Sequence, residues 1–109
     1  MTVRELTELD NFTEITLSMP DEVISGVYIG DLLSWVMGRA TKGDAWITIM
    51  TNVNILAVAS LAEVSCIILA EGTEIDTELV KTAESKGINV ISSPLSAYEI
   101  ARVLALQGL

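Results

Sequence analysis

The fold of this chain is decided by residues 66–91, which read CIILAEGTEIDTELVKTAESKGINVI. Cys66–Ala70 is an unbroken apolar run between polar residues, which predicts a central strand covered on both faces. Asp76 predicts the N-cap of a helix, and Gly87 predicts its end, because glycine readily adopts a left-handed conformation. Ile88–Ile91 predicts the next strand. A strand, a helix and a strand in this order predict a right-handed crossover between parallel strands.

The same alternation extends from this segment in both directions. On its amino side, Ala45–Met50 predicts a strand and Ile55–Val64 predicts an almost wholly apolar helix. On its carboxyl side, Ser96 and Glu99 match a capping box, which predicts a last helix running to about Gln107. These elements predict an α/β fold, a small sandwich centred on a parallel sheet with a three-stranded parallel core and helices on both faces.

The first part of the chain gives weaker signals. Residues 1–11 read as a polar lead-in, and Phe12–Leu17 alternates with the period of two that an edge strand shows. Val23–Ile29 predicts a second N-terminal edge strand, bent near Gly26. We therefore expect residues 1–22 to form an N-terminal extension that carries an edge strand.

A short apolar helix is predicted between these edge strands and the centre. Asp31 predicts its N-cap, Leu32–Met37 its body and Gly38 its end. No internal linker or repeat divides the sequence, and a chain of this size fits one core. We expect a single domain over residues 1–109.

Composition and charge restrict the partners of this domain. Half of the residues are hydrophobic, and 15 acidic against 6 basic residues give a formal net charge of −9. Clustered basic residues, which nucleic acids and anionic membranes require, are absent, so neither is an expected partner. A single cysteine, a polar amino terminus without a signal-peptide pattern and no apolar run of membrane-spanning length predict a cytoplasmic protein.

The sequence contains none of the usual catalytic patterns. Histidine is absent, and neither a phosphate-binding loop nor a dinucleotide-binding glycine pattern occurs. Cys66 opens an aliphatic strand with no basic neighbour, which favours a buried structural thiol over a nucleophile. The acidic residues of positions 1–22 lack the spacing of a calcium loop and read as a solvated face. We expect no catalytic residue, no metal ligand and no cofactor, and so no enzyme.

Three polar loops follow the three predicted core strands. In open parallel sheets, ligands bind outside the carboxyl ends of the strands, where such loops and helix N-termini meet. The alternative is that Asn54, Asp76 and Ser96 only cap helices. The candidate ligand-binding residues are Thr51, Asn52, Asn54, Glu71, Gly72, Thr73, Ser92, Ser93 and Ser96.

The order and spacing of six segments resemble the DRTGG domain family over roughly residues 23–109. The six segments are 29–33 (IGDLL), 42–48 (KGDAWIT), 54–59 (NILAVA), 66–72 (CIILAEG), 83–91 (AESKGINVI) and 93–99 (SPLSAYE). Two signature positions differ from the family: its Asp-Arg pair falls within Thr51–Val53, and its Thr-Gly-Gly is Ala70-Glu71-Gly72, so that only Gly72 is retained.

This resemblance implies a role beside catalysis. Similar domains accompany the catalytic modules of phosphotransacetylases and CBS-domain pyrophosphatases, and the amino-terminal part of HPr kinase/phosphorylase is similar too. The resemblance implies a regulatory or oligomerising module of a bacterial or archaeal cytoplasm that binds a small metabolite or a partner enzyme. A component related to the HPr serine kinase and a purely structural subunit are the alternatives, and the missing phosphate loop disfavours the first.

The predicted helices at Leu32–Met37 and Ile55–Val64 are apolar on nearly every side. A small sheet covers only one side of each helix, so their remaining apolar surface requires another cover. The sequence predicts a homo-oligomer, most simply a two-fold dimer, with the first 25 residues folding back as the alternative cover.

Overall fold

The computed structural model describes residues 1–109 and contains one mixed sheet and five helices. Its strands are β1 (Thr13–Thr16), β2 (Gly26–Ile29), β3 (Asp44–Thr48), β4 (Cys66–Leu69) and β5 (Val90–Ser92). Its helices are α1 (Val3–Thr7), α2 (Leu33–Arg39), α3 (Asn54–Ala62), α4 (Thr77–Lys86) and α5 (Ala97–Leu106). The strand order is β1–β5–β4–β3–β2, in which β2 to β5 are parallel and β1 is antiparallel. The α/β prediction is confirmed, with four parallel strands instead of three.

The core consists of two apolar layers, one on each face of the sheet. The strands β3 and β4 are buried along their whole length, as the apolar run at Cys66–Leu69 predicts for a central strand. The helices α1 and α5 pack on one face, and α2, α3 and α4 pack on the other. Helices therefore cover both faces, in agreement with the sandwich predicted from the sequence.

The caps predicted around α4 and α5 are present. The Asp76 carboxylate accepts a hydrogen bond from the Leu79 N–H (2.8 Å), and Gly87 ends α4 with a φ of 70°. At α5, the Ser96 hydroxyl accepts from the Glu99 N–H and the Glu99 carboxylate accepts from the Ser96 N–H, which completes the capping box. Caps of this kind can be predicted from sequence because the residues that form their hydrogen bonds lie within four positions of each other.

The polar lead-in predicted for residues 1–11 is wrong, because α1 lies within it. Thr2 and Glu5 form a capping box at the start of α1. Val3 and Leu6, three residues apart on one face of α1, are fully buried in the core layer beside α5. The helix is held by long-range backbone bonds, in which the Val3 N–H donates to the Glu22 carbonyl (3.0 Å) and the Arg4 N–H donates to Pro20 (3.0 Å).

The segment that links β1 to β2 is bound by Asn89, the residue before β5. Asn89 is 2% exposed and forms three hydrogen bonds, two of which clamp the backbone N–H and carbonyl of Met19 (2.8 and 2.7 Å). The third joins its amide to the Ser65 carbonyl (3.0 Å). β5 begins at Val90, two residues later than the strand predicted at Ile88–Ile91, although the Asn89 carbonyl already accepts a hydrogen bond from the Ile67 N–H of β4 (2.9 Å).

The strand predicted at Val23–Ile29 is shorter in the structure. Only Gly26–Ile29 pairs with β3, and Val23 forms an isolated bridge with Thr2. Gly26 is needed here, because a Cβ atom at this position would lie 2.5 Å from a carboxylate oxygen of Asp44. The position at which the sequence predicts a bend, Gly26, is therefore where β2 begins.

The N-cap predicted at Asp31 is wrong. The residue before α2 is Leu32, which forms no side-chain cap, and the helix continues through Gly38 to Arg39. Instead, the Asp31 carboxylate accepts hydrogen bonds from the Thr48 hydroxyl (2.7 Å) and the Ile49 N–H (3.0 Å). These bonds tie the end of β2 to the end of β3.

Apolar side chains stay exposed on α2 and α3. Trp35 is 52% exposed and Leu61 is 71% exposed. The first 25 residues cannot cover them, because the residues that α1 buries pack on the opposite face of the sheet with α5. The alternative cover considered from the sequence is therefore wrong for these two helices. No helix combines the length and apolar character needed to cross a membrane.

Candidate functional site

Two of the three candidate loops are joined at the carboxyl edge of the sheet. Glu71–Thr73 follows β4, and Ser93–Ser96 follows its neighbour β5. Ser92 is the last residue of β5, so it lies in the strand and not in the predicted loop. The Glu71 N–H donates to the Leu95 carbonyl (2.9 Å), and the Gly72 N–H donates to the Ser93 carbonyl (2.9 Å). These bonds fix the two loops side by side.

The third loop, Thr51–Asn54, lies after β3 and is held by its own bonds. The Asn52 side chain accepts a hydrogen bond from the Asn54 N–H (3.0 Å). Val53 occupies the N-cap position of α3 without a side-chain bond. The cap considered for Asn54 is therefore formed by Asn52, and no hydrogen bond joins this loop to the other two.

The backbone turns sharply where the two joined loops meet. Glu71 and Gly72 both adopt the left-handed conformation, with φ of 64° and 63°. Glycine adopts this conformation freely, whereas a residue with a Cβ atom is strained by about 1 kcal/mol. The strain at Glu71 shows that the surrounding bonds, and not its own preference, determine this turn.

Most polar groups of the two loops already have partners. The Ser93 side chain is buried and its hydroxyl accepts from the Leu95 N–H (3.2 Å), while Ser96 caps α5. The Thr73 hydroxyl is the one buried side-chain group that forms no hydrogen bond. Buried hydroxyls are almost always paired, so an unpaired one at the edge of a sheet marks a site with unused bonding capacity.

The electrostatic character of this edge is neutral to negative. Glu71 is exposed, and none of the nine candidate residues is basic. Sequence reasoning selected Thr73 only by its position in the loop, because nothing in the sequence shows that its hydroxyl lacks a partner. The structure singles it out among the nine.

Cys66 has the structural role predicted from the sequence. It is fully buried in β4, and burial raises the pKa of its thiol to about 12. A thiol with this pKa is fully protonated at neutral pH and is a poor nucleophile. The structure contains no group of three or more His, Cys, Asp or Glu residues placed to bind a metal ion.

The largest concave surface lies at the opposite edge of the sheet. It is an open depression of about 1020 Å³ whose lining includes Lys42, Glu63, Lys86 and Asn89. Lys42 and Glu63 form an exposed ion pair across it (3.7 Å). The Asn89 amide already bonds to the backbone of residues 19 and 65. Sequence reasoning missed this depression, since it arises only where four loops that are distant in the chain meet.

Most of the chain matches the model of a known domain family. The DRTGG domain model matches residues 21–106. This chain belongs to the DRTGG domain family. The matched residues run from the loop before β2 to the end of α5 and include Gly72, which adopts the left-handed conformation.

A solved structure resembles this DRTGG domain closely in fold. It contains the CBS and DRTGG domains of the regulatory region of Clostridium perfringens pyrophosphatase, complexed with the activator diadenosine tetraphosphate. The two chains are 17% identical with a TM-score of 0.71, over 93% of this chain and 44% of that chain. At this identity the likeness shows the shared fold, and this chain spans less than half of that one. No curated protein matches the sequence.

Proposed function

We propose that this DRTGG domain is a non-catalytic regulatory module of the cytoplasm that binds a small polar metabolite at the carboxyl edge of its sheet. The observation that carries the proposal is the unpaired Thr73 hydroxyl beside two loops that are fixed to each other. The regulatory role is supported by the similar domain in the pyrophosphatase, which belongs to a regulatory region.

The charge of the edge restricts the ligand. Glu71 is exposed there and the formal charge of the chain is −9, so a highly charged anion is repelled. The N–H groups of Glu71 and Gly72 are already bonded within the loops, which leaves fewer free donors for phosphate oxygens. A neutral polar group or a singly charged group fits this site better than a triphosphate.

A binding experiment with matched glycine variants tests the proposal. Gly72→Val and Gly87→Val place the same β-branched side chain at left-handed positions, with φ of 63° and 70°, so both should lose similar stability. Only Gly72 lies at the candidate site. The probes are a panel of nucleosides, mononucleotides, small carboxylates and diadenosine tetraphosphate, measured by calorimetry at a temperature where both variants are folded.

We expect a ligand from this panel to bind the wild type and Gly87→Val equally and Gly72→Val at least about tenfold more weakly. Asn54→Ala, in the third loop, reports whether that loop takes part. A ligand that binds Gly72→Val as tightly as the wild type overturns the site. If no compound binds the wild type, the structural-subunit alternative replaces the proposal.

Self-association is the second part of the proposed role. The apolar side chains of α2 and α3 remain exposed in the single chain. Monomers rarely expose a large contiguous apolar patch, so these helices support a homodimer or a partner enzyme as their cover. A mass of twice 11.7 kDa by light scattering is the expected result for the homodimer, and a monomer at all concentrations would exclude it.

A further inference from the structure

The two outer strands of the sheet, β1 and β2, differ in how well they are protected from pairing with another strand. β1 carries the exposed carboxylate of Glu14 and an irregularity between Glu14 and Thr16, both of which oppose further pairing. β2 consists of Gly26, Val27, Tyr28 and Ile29, with no charge, no proline and a regular register against β3. The β2 edge is therefore the one open to another strand.

The unused hydrogen-bonding groups of β2 belong to Val27 and Ile29. The Gly30 N–H donates to the Ile47 carbonyl of β3 (3.2 Å). Alternate residues of a strand form their bonds on opposite sides, so Tyr28 also faces β3, while the peptide groups of Val27 and Ile29 point away from the sheet. Since β2 pairs with β3 alone, these groups have no partner strand.

Apolar side chains surround this open edge. Ile29, Leu32, Trp35 and Ile49 are each about half exposed, between 48% and 56%. Their segments meet at the end of β2, because Asp31, which lies between Ile29 and Leu32, accepts a hydrogen bond from the Ile49 N–H, and the Trp35 N–H donates to the Leu32 carbonyl. If each full side chain offers roughly 200 Å², the four together expose about 400 Å² of apolar surface, half of what one partner contributes to an ordinary interface.

We infer that β2 pairs antiparallel with β2 of a second copy about a two-fold axis, which joins the two sheets into one of ten strands. This inference rests on the self-association proposed above and specifies its surface. The net charge of −9 makes most of the surface repel a second copy, whereas β2 carries no charge. A second copy therefore approaches this edge at the lowest electrostatic cost.

One register of this pairing uses all the outward peptide groups of β2. Identical strands related by a two-fold axis are antiparallel, and Val27 opposite Ile29 of the other copy lets both residues form hydrogen-bonded pairs. Tyr28 then lies opposite its own symmetry mate, with Cα atoms about 4.5 Å apart, as in a non-hydrogen-bonded pair. Both copies of α2 lie on the same face of the joined sheet, where Leu32 and Trp35 of one copy cover those of the other.

A matched pair of lysine variants tests the surface. Ile29→Lys places a charge on the β2 edge, and Leu61→Lys places the same charge on α3, where the leucine is 71% exposed. By light scattering and sedimentation, we expect wild type and Leu61→Lys to be dimers. We expect Ile29→Lys to be a folded monomer, with a dimer dissociation constant raised at least about tenfold.

Two single cysteine variants test the register by crosslinking, without requiring the dimer to dissociate. Tyr28→Cys should form a disulfide-linked dimer on mild oxidation, because the two positions meet within disulfide range. Glu14→Cys, on the opposite edge, should not, and the native Cys66 is buried and does not compete.

The outcomes separate this inference from the proposal on which it rests. If the wild type is monomeric at every concentration, both the proposed self-association and the β2 pairing are excluded. A wild-type dimer that persists in Ile29→Lys, or that crosslinks through Glu14→Cys as readily as through Tyr28→Cys, overturns the β2 pairing alone. In that case Trp35→Asp, which tests the α2 face, identifies the surface that holds the dimer.

Discussion

Replacing Thr73 with valine should stabilise the free domain and weaken ligand binding at the same time. The Thr73 hydroxyl is buried without a hydrogen bond, although the residue as a whole is only partly buried. An unpaired buried polar group costs about 1–3 kcal/mol, and the partial burial of the residue places Thr73 at the lower end. Valine has nearly the same shape and replaces the hydroxyl by a methyl group, so this cost disappears.

We expect the free energy of unfolding of Thr73→Val to rise by about 1 kcal/mol, which raises the Tm of a domain of this size by about 4 °C. Urea unfolding followed by circular dichroism measures the change. Affinity for a ligand that uses the hydroxyl should fall by about three- to tenfold, the value of one hydrogen bond between neutral groups. Calorimetry with the ligand found in the panel measures this second effect.

Thr73→Ser is the control, because it keeps the hydroxyl and removes the methyl group. It should lose stability and retain the ligand. The reasoning fails if Thr73→Val is less stable than the wild type by 1 kcal/mol or more, since the hydroxyl would then contribute a bond to the free protein. It also fails if both variants bind the ligand equally, since the hydroxyl would then have no part in recognition.

Four further predictions follow from the geometry. Glu71→Gly should stabilise the domain by about 0.5–1 kcal/mol in urea unfolding, because glycine relieves the left-handed strain; equal stability would show that the turn is unstrained. Gly26→Ala should cost about 1–3 kcal/mol through the clash with Asp44, whereas Gly38→Ala, in open space on α2, should gain up to about 1 kcal/mol; the argument requires these opposite signs. Asn89→Ala should cost about 2–4 kcal/mol through three lost hydrogen bonds, and a cost below 1 kcal/mol would show that the clamp is dispensable. Dimerisation should strengthen as NaCl rises from about 0.05 to 0.5 M, because salt screens the repulsion between copies of charge −9; sedimentation that shows weaker association at high salt would contradict this.

The sequence predicts an element correctly where the residues that determine the element lie close together in the chain. β4 is a continuous apolar run, and the caps of α4 and α5 involve residues three apart, so periodicity and cap chemistry predicted these elements correctly. The same cap chemistry occurs at Thr2 and Glu5, but α1 is only five residues long and its sequence predicts a polar lead-in. A helix this short depends on packing against distant residues, which the sequence pattern does not show.

The sequence was insufficient where the partner of a group is remote. The Asp31 side chain suits an N-cap, and only the fold shows that it binds the Thr48 hydroxyl instead. The same limit applies to the candidate site: the sequence selected the loops, but whether Thr73 has a partner depends on every neighbour around it. The depression at the amino edge of the sheet was missed for this reason too.

Because β1 pairs with β5, the first strand of the domain cannot complete its pairing until the last strand has been synthesised. Of the five strands, β1 is synthesised first, and its Thr16 hydroxyl donates to the Ile88 carbonyl and accepts from the Val90 N–H, 72 and 74 residues later. Such distant pairings are formed late and slow the folding of a small domain. During synthesis, residues 1–22 must therefore wait without their partners until β5 has emerged, and a nascent chain stalled before that point should leave this segment open to proteases.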